Sequence, residues 1–181
     1  MILAELFSLF LTALIISILA TALAVASVFQ ILNSQKRISL SLTLVNRFVT
    51  VFFILLTSSF LDRQEILVVF FFISFFSGLS SLGRFLKVYD ESFRMLFLSF
   101  GYTRREYHWH YLLLKAKWVL LLEVVFLSTA FSTVVPILEW TRDRAGEAWL
   151  PAAVWLMSLL AVLGLLCYIN ESIRQPGSTQ E

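Results

Sequence analysis

A single cysteine, Cys167, in 181 residues excludes a disulfide within the chain. It lies inside an apolar run and reads as a buried free thiol, so it says nothing about redox compartment. Charge is also scarce. Asp, Glu, Lys and Arg make up 14% of the chain, against about 25% in a soluble domain. No G-x-x-x-x-G-K-[ST] phosphate loop is present, so any nucleotide hydrolysis has to come from another chain. There is no internal repeat, no low-complexity segment and no soluble domain of appreciable size. No nucleophile and base stand in a catalytic arrangement, so we read a non-enzyme with no cofactor, and nothing points to nucleic acid. The first eleven residues contain no Lys or Arg. Although Ala22, Ala24 and Ala26 offer small residues of the kind found at cleavage sites, the apolar stretch runs well past the ~7–15 residues of a signal-peptide core. It reads as a retained transmembrane helix, with cleavage the lesser alternative.

Long apolar runs take the place of these missing features. The chain is 59% hydrophobic with a mean hydropathy of +0.85, and several runs approach or exceed the ~20 residues that cross a bilayer. The fold expected is an all-α polytopic integral membrane helix bundle forming one transmembrane domain over residues 1–170. Its spans fall at about 2–32, 40–61, 66–82, 118–138 and 149–169, followed by a disordered tail at 171–181. The second span is the weak one, because Arg47 sits within it. Either the true span is the shorter Phe48–Leu61 or Arg47 lies inside the bundle, and if this segment does not cross, four spans remain. Within the first span Ala20, Ala24 and Ala22, Ala26 have small-xxx-small spacing, as do Ser74 and Gly78 in the third; such pairs permit close helix approach.

The connecting segments separate by charge. Residues 33–37 (NSQKR) and the long segment 84–117 are basic, whereas DRQE (62–65) and EWTRDRAGE (139–147) each carry a net charge of −1. Positive charge in short loops marks the cytoplasmic side. This gives an N-terminus outside, five spans and a C-terminus inside, in a membrane such as the bacterial inner membrane.

The segment Arg84–Lys117 holds seven of the fourteen Lys and Arg residues and is the one long stretch suited to water or a membrane surface. From Val88 to Phe100 an apolar stripe (Tyr89, Phe93, Leu96, Phe97, Phe100) recurs at helical spacing, with Asp90, Glu91 and Arg94 elsewhere. Gly101 follows, where helices often end in a left-handed residue. Thr103-Arg104-Arg105-Glu106 then reads as a capping box opening a second helix. The aromatics Tyr107, Trp109, Tyr111 and Trp118 suit the headgroup level. The expectation is an amphipathic cytoplasmic helix-turn-helix. It either lies on anionic lipid or docks a soluble protein through Phe93, Arg94, Phe97, Gly101, Thr103, Arg104, Arg105 and Glu106.

The stretch GYTRREYHWHYLLLKA (Gly101–Ala116) resembles the cytoplasmic EAA loop of ABC importer permeases, with Gly101, Arg104 and Leu112–Leu114 at the positions of that pattern. LSFGYTRREY (Leu98–Tyr107) is similar to the L-G-A-T-R-R-x-I loop of FtsX-like permeases. The chain departs from the importer pattern at Met95, where the family has Glu, and at Leu114, where it has Pro. The resemblance implies a permease subunit whose loop couples to a cytoplasmic ATPase. A reading from a different class is a sensor, anchor or immunity protein that recruits a cytoplasmic effector through the same loop. Both imply an oligomer or hetero-complex in the lipid bilayer.

Two further features stand out. Glu123 lies inside the fourth span, where a lone carboxylate is costly and by default functional or paired; Arg47 is the expected partner in an interhelical pair. His108 and His110 lie two residues apart, on opposite sides of a helix, and with Glu106 supply too few ligands for a zinc site.

Overall fold

The computed structural model describes residues 2–33, 46–103, 106–107, 111, 113–146 and 149–173. Among them every regular element is helical: α1 (Ile2–Asn33), α2 (Arg47–Phe60), α3 (Arg63–Ser99), α4 (Leu113–Ala145) and α5 (Trp149–Ile173). Four are long and apolar enough to cross a membrane, over Ala4–Gln30, Gln64–Leu86, Leu113–Ala145 and Trp149–Asn170. The fifth, α2, has 14 residues, or ~21 Å of helix against a hydrocarbon thickness of ~30 Å.

The elements differ from the sequence expectation at their ends, for physical reasons. α2 starts at Arg47 rather than near residue 40. Asn46 is extended (φ −104°, ψ 172°) and its side chain accepts the Val49 N–H, a polar N-cap that stops the helix from beginning earlier. Residues 34–45, which include Lys36 and Arg37 of the first basic loop, lie outside the described residues. α3 does not end at Leu82. It runs unbroken for 37 residues to Ser99, because the amphipathic stripe beyond Val88 continues the helical period of the apolar run before it. The segment expected as two helices over 84–117 is therefore the end of α3, a turn, and the start of α4.

α4 likewise passes through Pro136 and most of the polar EWTRDRAGE segment to Ala145. Proline removes one backbone donor, which a membrane helix tolerates when neighbouring groups compensate. Arg142 and Arg144 occupy the last turn, where cations oppose the negative end of the helix dipole, and Gly146 follows with φ +52°. The guanidinium of Arg144 lies over the Trp140 ring at 4.7 Å and that of Arg142 over the Trp149 ring at 5.8 Å. α5 extends to Ile173, into the expected tail; residues 174–181 lie outside the described residues.

The core is a three-helix unit of α1, α3 and α4, with α1 packed most extensively on α3 and α4. Ala13 clusters with Ile66 and Phe70, while Ala24 and Val28 cluster with Leu79, Leu82 and Phe85, so α1 and α3 run parallel. Phe131 and Val135 join the first group, and Ala116 and Leu120 the second, so α4 runs against both. Small residues set the spacing. Ala20 and Ala24 are fully buried, whereas Ala22 and Ala26 face outward. A Cβ built on Gly78 would lie 3.4 Å from Ala24 Cβ and 3.6 Å from Thr21 Cα. α5 is peripheral: it packs on α2, and most of its large apolar side chains, Val154, Trp155, Leu159, Val162 and Leu166 among them, are exposed.

Candidate functional site

The end of α3 closes in a Schellman-type turn. Gly101 has φ +85°, a conformation that glycine adopts without the strain that a side chain brings. The Tyr102 N–H donates to Phe97 O at 3.3 Å, the six-to-one bond that defines the motif, and the Tyr102 and Phe97 rings meet edge-on at 5.6 Å, its usual apolar contact. The next helical turn opens with the reciprocal cap. Glu106 Oε2 accepts the Thr103 N–H at 2.9 Å, and Thr103 Oγ1 accepts the Glu106 N–H at 3.3 Å. Tyr107 N then donates to Thr103 O at 3.0 Å. These bonds are the geometry of the capping box expected from Thr103 and Glu106.

What fixes this turn to the bundle was not legible as such. Tyr107 was expected at the headgroup level, yet it is 1% exposed and packs in one cluster with Ala24, Val28, Leu82, Phe85, Ala116 and Leu120. Phe97 is half-buried, with its ring 5.3 Å from Tyr107 and 4.3 Å from Tyr111. These ring contacts hold the turn from inside. The groups that the turn presents are Leu96, Phe100 and Tyr102, with Phe100 71% exposed. Arg104, Arg105, His108, Trp109 and His110 lie outside the described residues, as do the side chains of Phe93 and Arg94.

A second constellation lies in the middle of the bundle. Glu123 is buried, and its Oε1 accepts a hydrogen bond from Ser77 Oγ at 2.5 Å. Arg47, its expected partner, is exposed and lays its guanidinium over the Phe126 ring at 5.0 Å. The structure does not bring Arg47 and Glu123 into an ion pair. The sequence placed Glu123 near the end of its span, but α4 begins ten residues earlier and Glu123 stands level with Ser77, well inside α3. Three hydroxyls near this level, Ser17 Oγ, Thr21 Oγ1 and Ser74 Oγ, are buried without a hydrogen-bond partner. Ser77 Oγ donates across to α4, whereas Ser74 Oγ, one turn earlier on the same helix, has no hydrogen-bond partner.

Fold and sites define an all-helical bundle with four helices long and apolar enough to cross a membrane, a capped turn at the end of α3 and a buried carboxylate between α3 and α4. The chain matches no protein-family model, and neither a curated protein nor a solved structure is significantly similar to it.

Proposed function

We propose that this protein is the membrane-embedded subunit of a multi-protein complex and that the turn after α3 docks a cytoplasmic protein, the ATPase subunit of an ABC-type transporter. The observation that carries this reading is the construction of the turn. Phe100 and Tyr102 project from a backbone fixed on one side by Gly101 and the Phe97–Tyr102 contact, and on the other by the Thr103–Glu106 cap. Tyr107 ties it to the core. Exposed aromatics on a pre-ordered turn suit a partner groove, since little conformational entropy is lost on binding. α3 is continuous over ~55 Å at 1.5 Å per residue, so a push on its tip moves the helix that carries Ser77. The basic surroundings support a cytoplasmic position for the tip, and the importer-like pattern at Gly101 and Arg104 supports an ATPase as the partner.

Affinity purification in mild detergent tests this. The wild type recovers a P-loop ATPase, and a Phe100→Asp, Tyr102→Asp variant of equal monodispersity does not. Recovery of a soluble protein with no phosphate loop would instead assign the turn to an effector anchor. Recovery of no soluble protein, with equal loss of both forms' affinity for anionic vesicles at high salt, would assign it to lipid.

A further inference from the structure

The core of α1, α3 and α4 is not continuously apolar. It falls into two separate clusters, one around Ala13, Phe70, Leu127 and Phe131 and one around Ala24, Leu82, Tyr107 and Leu120. Between them lies a polar layer. The Gly78 position meets Thr21 at 3.6 Å, which sets α1 and α3 in register. One turn earlier on each helix stand Ser17 and Ser74, both 0% exposed. Ser77, next to Gly78, donates to Glu123. Glu123 is the only charged side chain among the buried residues described, and Ser77 is its one hydrogen-bond partner there.

The hydroxyls separate into two kinds. A serine or threonine in a helix satisfies itself by donating to the carbonyl four residues back, and Thr12, Thr50, Ser59, Ser128, Thr129 and Ser158 all do so. Ser17, Thr21 and Ser74 do not, and have no other partner. A buried polar group left unsatisfied costs about 1–3 kcal/mol, and an unpaired buried carboxylate costs far more. Both costs fall on the same layer. A proton on Glu123 removes the charge and adds one donor, which can serve one hydroxyl oxygen and leaves the others unused. A divalent ion leaves an excess positive charge beside a single carboxylate. A small monovalent cation balances the charge and takes oxygen ligands from hydroxyls and carboxylate together, as hard cations prefer.

We propose that the layer formed by Glu123, Ser77, Ser74, Thr21 and Ser17 is an intramembrane Na⁺ site. Its route of access is the cleft of about 520 Å³ at the Glu5 end of the bundle, lined by Glu5, Ser8, Thr12, Gln64, Phe131 and Val135. The Glu5 carboxylate at its mouth attracts cations. Phe131, which lines the cleft, packs its ring 4.3 Å from that of Phe70 in the apolar cluster that precedes the polar layer, so reaching the layer requires these rings to part. The second apolar cluster closes the layer on the other side. A polar ion site between two apolar closures near the bilayer midplane is the arrangement used where ions cross a membrane protein. The site stands apart from the turn after α3, and neither reading depends on the other.

The test is tryptophan-monitored thermal unfolding of the detergent-purified full chain, titrated with NaCl against choline chloride at constant ionic strength, with ²²Na⁺ binding measured alongside. The wild type gains stability saturably with Na⁺ and not with choline. Glu123→Gln, which keeps an acceptor for Ser77 but carries no charge, loses ²²Na⁺ binding, while its stability without Na⁺ equals or exceeds that of the wild type. Ser74→Ala, which leaves the charge in place, weakens Na⁺ binding at least tenfold. Absence of any Na⁺-specific response in the wild type overturns the proposal, as does an equal response in Glu123→Gln. Stability that follows pH alone and ignores Na⁺ overturns it too, and identifies Glu123 as a protonated acid.

Discussion

Asn46 and Gly164 join α2 to α5 through one amide. Asn46 Nδ2 donates to the Gly164 carbonyl at 2.8 Å, while its Oδ1 accepts the Val49 N–H at 3.0 Å. The residue that starts α2 also fixes where α5 rests on it. The two roles separate by substitution. Asn46→Ser keeps a capping oxygen and loses the interhelical bond; Asn46→Ala loses both. Loss of an N-cap costs about 1 kcal/mol, and an interhelical hydrogen bond within a membrane about 0.6 kcal/mol. Unfolding in detergent, followed by circular dichroism, is expected to rank wild type above Asn46→Ser and Asn46→Ala last.

Gly164 is required at this contact for a second reason. A Cβ placed there would approach Val49 Cγ2 to 2.8 Å, closer than packed carbons come. Gly164→Ala is expected to destabilise by about 1–3 kcal/mol, the usual cost of overpacking. Val49→Ala in the same chain removes the obstructing methyl group and recovers most of the loss. A double-mutant cycle with no coupling between the two positions would show that α5 does not sit on α2 in this way.

At Gly101 the space around the Cβ position is open, so only the backbone opposes a side chain. With φ +85°, Gly101→Ala is expected to cost about 1–2 kcal/mol and Gly101→Asn less, because asparagine tolerates left-handed geometry. A β-branched residue, Gly101→Val, is the worst of the three. Hydrogen exchange at the Tyr102 amide, whose bond to Phe97 O closes the turn, reads this directly: protection falls in the order Gly, Asn, Ala, Val.

The cap that follows is exposed and local. Glu106→Ala removes the acceptor for the Thr103 N–H and is expected to cost about 1 kcal/mol, seen as faster exchange at Thr103 with little change in global unfolding. Tyr107→Ala, by contrast, opens the core cluster below. It is expected to lower global stability by about 3–5 kcal/mol and to loosen the turn with it. Equal global effects from these two substitutions would mean that Tyr107 does not anchor the turn.

Composition and periodicity determined much of this protein. Apolar runs of bilayer length dictate helices, because backbone groups in lipid have to be satisfied within the segment. The long helices therefore follow from the sequence. Gly101 and the Thr103–Glu106 box were legible for a similar reason: left-handed backbone and capping are local chemistry, carried by residues within a few positions of one another. The helix ends were less legible. Val88–Ser99 has a helical period whether it stands alone or continues α3, and Pro136 does not by itself reveal that α4 passes through it.

Tertiary structure alone decided which residues meet. Arg47 and Glu123 have complementary charge, and sequence paired them on that ground. Packing instead turns Arg47 onto Phe126 and sets Glu123 against Ser77. Tyr107, an interfacial aromatic by composition, becomes a core residue because the turn at Gly101 folds it back under Phe97. The polar layer of Ser17, Thr21, Ser74, Ser77 and Glu123 comes from three helices distant in sequence. Its existence depends on their register, which small residues such as Ala24 and Gly78 set by the closeness of approach they allow.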